Sequence, residues 1–360
     1  MRFRLNAAWL AAILLTSGFA VAATSVAPSA NPDKGKVRTV SEKVKNKATA
    51  AKVAKPTKQI SAKTKGSTAA LASTGRVRHA VSATESWQDA KKLAVHSASA
   101  LVFDQHAGDA LFQKNADAVS PIASITKLMM AMVVLDSAPD LQAPIAIAEE
   151  DVDMLRGSRS RLQVGSVLSR ETALLLALMS SENRAAHALA RHYSGGLGAF
   201  VAAMNAKAQA LGMTNTRFED PTGLSSNNVS TAHDLARMVS AAYRYPLIRE
   251  WSTTSEATVD ISGRELAFRN TNPLVKSPSW DVGLSKTGYI HEAGKCLVMQ
   301  ARVAEKPVVI VLLDSVGKLT RVGDANRIKR WMESAQAARK APTHATAPAA
   351  PPHFSGRVSG

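Results

Sequence analysis

The most constraining feature of this chain is the stretch 125–135, which is apolar on nearly every side of a helix. A surface helix keeps one polar face, whereas a helix apolar all round must be enclosed. The stretch is far shorter than the roughly 20 apolar residues that span a bilayer, so protein must enclose it. The surrounding pattern provides the layers to do so. Apolar-rich segments at 99–104 and 110–113, separated by His106-Ala107-Gly108-Asp109, predict a β-hairpin. Residues 168–179, 183–192 and 198–211 read as further helices. The turn Asp220-Pro221-Thr222-Gly223 precedes Thr231-Ala232-His233-Asp234, where Thr231 can cap another helix. Strands follow at 257–261, 265–268, 284–290, 295–302 and 308–313, with a closing helix over 318–333. Strands at both ends with helices between predict one α/β sandwich carrying a helical insertion.

With 360 residues, 46% of them apolar, the chain has room for one large domain or at most two. Its net charge of +17 is unevenly placed. Between Ala23 and Ala80 thirteen Lys and Arg residues face only Asp33 and Glu42, which accounts for eleven of those charges. The high charge therefore describes a tail. That tail is rich in Lys, Ala, Thr and Ser and has no run able to bury enough apolar surface to fold. It reads as a solvated tether, with attraction to anionic envelope polymers as the sharper alternative. No aromatics interleave with its lysines, so nucleic acid is not expected as a partner. At the start, Arg2 and Arg4, the apolar run 7–15 and Ala20-Val21-Ala22 make a secretory signal cleaved near Ala22/Ala23. The expected organisation is a signal peptide over 1–23, a basic disordered linker over 24–93, a catalytic domain over 94–335, and a disordered Pro/Ala-rich tail over 336–360. The lone cysteine, Cys296, can form no internal disulfide and reads as a small buried hydrophobe.

The enclosed helix opens with Ser124-Ile125-Thr126-Lys127. Residues three apart share a helix face, which puts the Lys127 amine near the Ser124 hydroxyl. A serine needs a base beside it to become a nucleophile. Lysine serves only if desolvation or a second cation lowers its pKa toward neutrality. This spacing alone decides little, because Ser315-Val316-Gly317-Lys318 repeats it and reads as the turn before the last helix. Two later elements add the weight. Ser181-Glu182-Asn183 lies at a break between helices, and Lys286-Thr287-Gly288, which occurs once, lies in a strand-like run. The serine–any–asparagine element also has look-alikes, at Ser225-Ser226-Asn227 and Ser226-Asn227-Asn228. The force of the reading is the ordered triple, a known signature of penicillin-binding proteins and class A β-lactamases.

On these stretches, with Pro221-Thr222-Gly223-Leu224-Ser225 and Gly283-Leu284-Ser285-Lys286-Thr287-Gly288-Tyr289, the chain resembles the D-alanyl-D-alanine carboxypeptidases and endopeptidases. These are the low-molecular-mass penicillin-binding proteins. The resemblance implies their transpeptidase-like α/β fold, an antiparallel sheet flanked by helices with a helical subdomain. It implies catalytic Ser124, acylated by a peptide ending in D-Ala, with Lys127 taking its proton and Ser181 passing one to the leaving amine. It implies substrate binding by Asn183, Lys286, Thr287, Gly288 and Tyr289, the backbone N–H groups of Ser124 and Tyr289 forming the oxyanion hole. Gly288 would let its strand approach the substrate backbone. Peptidoglycan stem peptides are the implied substrates, β-lactams the covalent inhibitors, and no cofactor or metal is expected.

Within the class, no Glu-x-x-Leu-Asn segment lies between Ser181 and Lys286 to drive rapid deacylation, which disfavours a β-lactamase. Too few residues follow Gly288 for a second β-rich domain, and the tail has no periodic apolar face for a membrane. The resemblance therefore points to the single-domain murein endopeptidase branch. A carboxypeptidase remains the alternative, and an inactive murein-binding scaffold the alternative from another class. His187 and His192, five apart, do not share a metal; Gly195-Gly196-Leu197-Gly198 lacks the lysine of a phosphate loop.

Overall fold

The computed structural model describes residues 93–340. The expected signal peptide, the basic linker up to residue 92, and residues 341–360 of the expected tail lie outside the described residues. The chain starts with the hairpin β1 (Ser99–Asp104) and β2 (Asp109–Lys114). Its turn is held by the Asp104 carboxylate, which accepts from the backbone N–H groups of His106 and Ala107 at 3.0 Å each. After the short β3 (Ser120–Pro121) come a 3₁₀ turn (Ala123–Ile125) and α1 (Thr126–Asp136). Every residue of α1 from Thr126 to Val134 is buried, as its all-round apolarity requires.

β4 (Pro144–Ala146) pairs with β5 (Val167–Ser169), and α2 (Arg170–Met179), α3 (Asn183–Arg191) and α4 (Gly196–Ala210) complete a helical layer around α1. β6 (Val229–Ser230) pairs with β3 and leads into α5 (Ala232–Ala242). The Thr231 hydroxyl caps α5 by accepting from the Asp234 N–H at 3.1 Å, as expected. The eight-residue α6 (Pro246–Thr253), with proline at its first position, is a helix the periodicity does not predict. A hairpin of β7 (Glu256–Ile261) and β8 (Arg264–Arg269) precedes the three long strands β9 (Asp281–Ile290), β10 (Gly294–Val303) and β11 (Lys306–Ser315).

The main sheet is antiparallel in the order β2-β1-β11-β10-β9, so strands from opposite ends of the fold pair and β9 is left as an edge. Both faces of the sheet are covered. Val309, Val311 and Leu313 pack toward the helical layer, while Val308, Ile310 and Leu312 pack against the closing helix α7 (Thr320–Lys340). This is why the β11 sequence is a continuous apolar run. Burying both faces removes the alternation that a half-exposed strand shows.

The closing helix runs five residues past the expected domain end at Ala335. Its last turns are Ala-, Gln-, Arg- and Lys-rich, all good helix formers, and the basic residues suit the helix C-terminus. Gln336 and Lys340 also both reach Glu305, at 2.9 and 3.0 Å. The buried Asp324 ties the helix to the start of the sheet by accepting from the Ser97 N–H (2.7 Å) and hydroxyl (2.6 Å). An Ile310→Ala substitution removes a fully buried side chain between sheet and α7. We expect it to cost roughly 2–5 kcal/mol of stability, read by urea unfolding.

Candidate active site

Ser124 does not sit on α1 itself but in the 3₁₀ turn that precedes it. The backbone before it is strained, with Ala123 at φ +47°. A left-handed residue cannot continue a right-handed helix backward, so the helix starts only after Ser124. The three-residue spacing nevertheless brings the groups together. Lys127 Nζ lies 2.9 Å from Ser124 Oγ, 2.7 Å from Asn183 Oδ1 and 2.7 Å from the Thr222 carbonyl. The amine thus meets three acceptors, the number an ammonium satisfies.

Lys127 is fully buried. Burial lowers it to about 7, against the opposing pull of Asp220, Glu182 and Asp153. Its proton is therefore mobile at neutrality, and a hydroxyl beside such an amine is set to be activated. A second buried amine faces it across the site. Lys286 Nζ donates to Ser181 Oγ at 2.9 Å and to the Thr287 carbonyl at 3.0 Å. Burial, then the neighbouring cations Lys127 and Arg321, push Lys286 well below the ordinary lysine range. Ser181 follows α2 at φ +65°, a helix-ending conformation that usually falls to glycine. Holding a serine there costs about 1–2 kcal/mol and aims its hydroxyl at Lys286.

Five of the expected site residues are therefore in direct contact as two groups: Ser124, Lys127 and Asn183 in one, Ser181 and Lys286 in the other. Thr287 is next to Lys286 on β9, its hydroxyl 2.7 Å from that of Thr271. Gly288 makes a close approach within the protein itself. A Cβ there would stand 2.8 Å from the Ile122 carbonyl and 3.2 Å from the Ser124 nitrogen, so its bareness lets β9 close on the turn that carries Ser124. Tyr289 is 58% exposed, with the Lys295 amine 3.9 Å from its ring centre, and among the described residues its side chain makes no hydrogen bond with Ser124, Lys127, Ser181 or Lys286.

Several supporting residues escape sequence reasoning. Asp220 accepts from the N–H groups of Thr222 (2.6 Å), Gly223 (2.7 Å) and Ser225 (2.8 Å), folding the turn that presents the Thr222 carbonyl to Lys127. An Asp-Pro-Thr-Gly turn signal was visible there, but not its target. Asn228, one of the serine–any–asparagine look-alikes, is buried and brackets this turn to the helix. Its side chain donates to Thr126 Oγ1 (3.0 Å) and the Asp220 carbonyl (2.8 Å), and accepts from the Glu219 N–H (2.8 Å). Ser158 accepts from Asn183 Nδ2 at 2.9 Å, fixing which way the amide faces. Arg321 reaches the Gly288 and Cys296 carbonyls, 3.3 Å each.

The remaining candidates are structural. Burial raises the Cys296 thiol to about 11, which removes it as a nucleophile. His187 pairs with Asp151 at 2.7 Å and His192 with its own helix, at the Ala188 carbonyl. Ser315 ends β11 and hydrogen-bonds Ser97, and Lys318 follows in the turn before α7. Among the described residues no group of three or more His, Cys, Asp or Glu is placed to hold a metal.

Residues 84–317 match the family described as D-alanyl-D-alanine carboxypeptidase. The chain belongs to that family. Among its relatives, the D-alanyl-D-alanine endopeptidase of Pseudomonas aeruginosa is 54% identical over 242 residues, covering 67% of this chain and 78% of the relative. The D-alanyl-D-alanine endopeptidase of Escherichia coli is 47% identical over 257 residues, covering 71% and 83%. Among solved structures, a Streptomyces DD-transpeptidase superposes with a TM-score of 0.62 at 29% identity, over 67% of this chain and 98% of that one. An ampicillin-bound penicillin-binding protein of Listeria monocytogenes matches with a TM-score of 0.58 at 27% identity, with coverage of 67% and 98%. The family thus brings to this chain a serine-peptidase class and a penicillin-binding fold.

Two glycines test how tightly the Ser124 turn is held. Gly223 has φ +84°, and a Cβ there would fall 2.0 Å from the Ala123 carbonyl oxygen. Gly108 has φ +78° with open space around it. Gly108→Ala should cost about 1 kcal/mol, a few degrees of melting temperature at this size. Gly223→Ala should lose more stability than that and also the penicillin-reactive site, measured by melting and by fluorescent-penicillin labelling.

Proposed function

We propose that this chain is a serine DD-endopeptidase that hydrolyses D-Ala–diaminopimelate cross-links in peptidoglycan through an acyl-enzyme on Ser124. The observation that carries the reading is the buried Lys127 amine in contact with Ser124, Asn183 and the Thr222 carbonyl, in a chain 54% identical to a D-alanyl-D-alanine endopeptidase. Neutral Lys127 takes the Ser124 proton as the hydroxyl oxygen attacks the D-Ala carbonyl. That proton then passes from Lys127 through Ser181, which Lys286 contacts at 2.9 Å, to the amide nitrogen of the leaving residue as its C–N bond breaks, and Lys127 returns to its neutral form. The leaving residue's carboxylate lies beside Lys286 and Thr287, where a negative charge draws the Lys286 amine back to its charged form. Asn183 hydrogen-bonds the donor amide, and the Ser124 and Tyr289 N–H groups hold the developing oxyanion. Water then cleaves the ester, with Lys127 again the base. The substrate runs along β9, whose free edge suits an extended peptide. β-Lactams acylate the same serine.

The same reading includes a signal peptide over 1–23, export to the periplasm, and attraction of the basic linker to anionic envelope polymers. The basic character of that linker is a matter of sequence alone.

Three measurements test the reading. Fluorescent penicillin should label the wild-type chain and not Ser124→Ala; a folded wild type that stays unlabelled would return the chain to an inactive scaffold. Because acylation needs neutral Lys127, held at about 7, the rate of penicillin acylation should rise with pH through neutrality and level off above it. Purified cross-linked muropeptide dimers should be cut to monomers. Release of D-Ala from pentapeptides with dimers left intact would make the chain a carboxypeptidase.

A further inference from the structure

One charged pair joins the helical side of the cleft to the sheet without taking part in the catalytic contacts. Arg156 lies 2.9 Å from Glu292, and its Nε donates to the Leu224 carbonyl. Arg156 belongs to a loop organised by Asp153, which accepts from the N–H groups of Leu155, Arg156 and Ser158 at 2.9 Å each. The same loop supplies Ser158, the acceptor for Asn183. Glu292 lies in the turn between β9 and β10, four residues beyond Gly288. The pair therefore crosses the end of the cleft toward which β9 runs after its Lys286-Thr287-Gly288 segment. Both side chains remain solvent-accessible, 23% for Arg156 and 44% for Glu292. An accessible pair of this kind stabilises a fold by about 0–1 kcal/mol, little for a strut across a cleft. Among the described residues, the guanidinium N–H donors of Arg156 beyond these two contacts have no hydrogen-bond partner.

The function proposed above fixes which part of the substrate meets this pair. With the leaving residue's carboxylate at Lys286 and Thr287, the donor stem must run the other way along β9, past Ile290 toward the turn. Two residues of extended chain cover about 7 Å, so the residue before the scissile D-Ala arrives beside the turn. In a diaminopimelate stem that residue's side chain ends in a carbon bearing both an ammonium and a carboxylate. We propose that Arg156 and Glu292 determine donor specificity by holding this zwitterionic end, Arg156 taking the carboxylate and Glu292 the ammonium. Their own ion pair opens as two new ones form, so no charge is left uncompensated. Arg156 is already anchored on Leu224, which limits the ordering cost of binding. Leu155, 67% exposed on the same loop, offers apolar surface to the side chain's methylenes.

The test compares three donor residues, in cross-linked dimers and also in monomeric pentapeptides: diaminopimelate, its carboxyl-amidated form, and lysine, which lacks the carboxylate. Arg156→Ala should lower kcat/KM on diaminopimelate donors about tenfold, mainly through KM, with little change on the other two. Glu292→Ala should lower it on all three, since each retains the ammonium, and leave N-acetylated donors unaffected. Equal losses by Arg156→Ala on every donor, or a matching loss in penicillin acylation, would mean that the pair only braces the loop and would overturn the proposal. No loss on any donor would overturn it as well. If dimers resist cleavage while pentapeptides are trimmed, the endopeptidase reading fails, and the donor preference is still read from the pentapeptides.

Discussion

The site depends on the burial of an amine. Shifting Lys127 from its ordinary value of 10.5 to about 7 corresponds to about 5 kcal/mol of preference for the uncharged form. That preference comes from enclosure, so whatever encloses α1 also tunes this amine. The helical layer around α1, the sheet behind it and the Asp220 turn above it all contribute. Three acceptors at 2.7–2.9 Å keep the amine from being a simple unsatisfied charge. The second buried amine, Lys286, is itself pushed down by burial and then by the neighbouring cations Lys127 and Arg321.

Backbone strain sets the geometry within that enclosure. Ala123 and Ser181 both carry positive φ, one immediately before Ser124 and the other at the serine facing Lys286. Neither conformation is favourable for a residue with a Cβ, and both hold because the surroundings over-determine them. Gly223 and Gly288 do the complementary work by letting two separate chain segments close on the Ser124 turn, where any side chain would collide with backbone. The cleft is thus built from residues that bend the chain and residues small enough to let it approach.

Much of this was legible in the sequence because its causes are local. All-round apolarity predicts the enclosure of α1, the Thr231 cap predicts the start of α5, and the apolar runs predict β9, β10 and β11. The ordered triple of motifs picks out Ser124, Lys127, Ser181, Asn183 and Lys286, which the fold brings into direct contact in two groups. Some features were hidden because they arise only when distant segments meet. Nothing near Asn228 marks it as a bracket behind Thr126, since the two are 102 residues apart. The Thr222 contact with Lys127 is a carbonyl, and a carbonyl carries no side-chain signature. Gly288 reads as a substrate-facing glycine; that its bareness also accommodates the protein's own turn appears only when Ile122 and Ser124 fold against it. The closing helix extends beyond its expected end because Glu305, far from it in sequence, offers partners to its last turns.

The pairing of β1 with β11 has a consequence for how the enzyme comes into being. Ser99 is matched to Leu313, so the first hairpin can join its sheet only after more than two hundred further residues are available. A lone two-stranded hairpin is marginal in water, and contacts this distant in sequence close late. A chain cut short before β11 therefore lacks the sheet behind α1, one of the layers that enclose Lys127. Its amine then meets more water, and the desolvation that lowers it weakens. The topology thus ties full enclosure of the site to the arrival of the last strand.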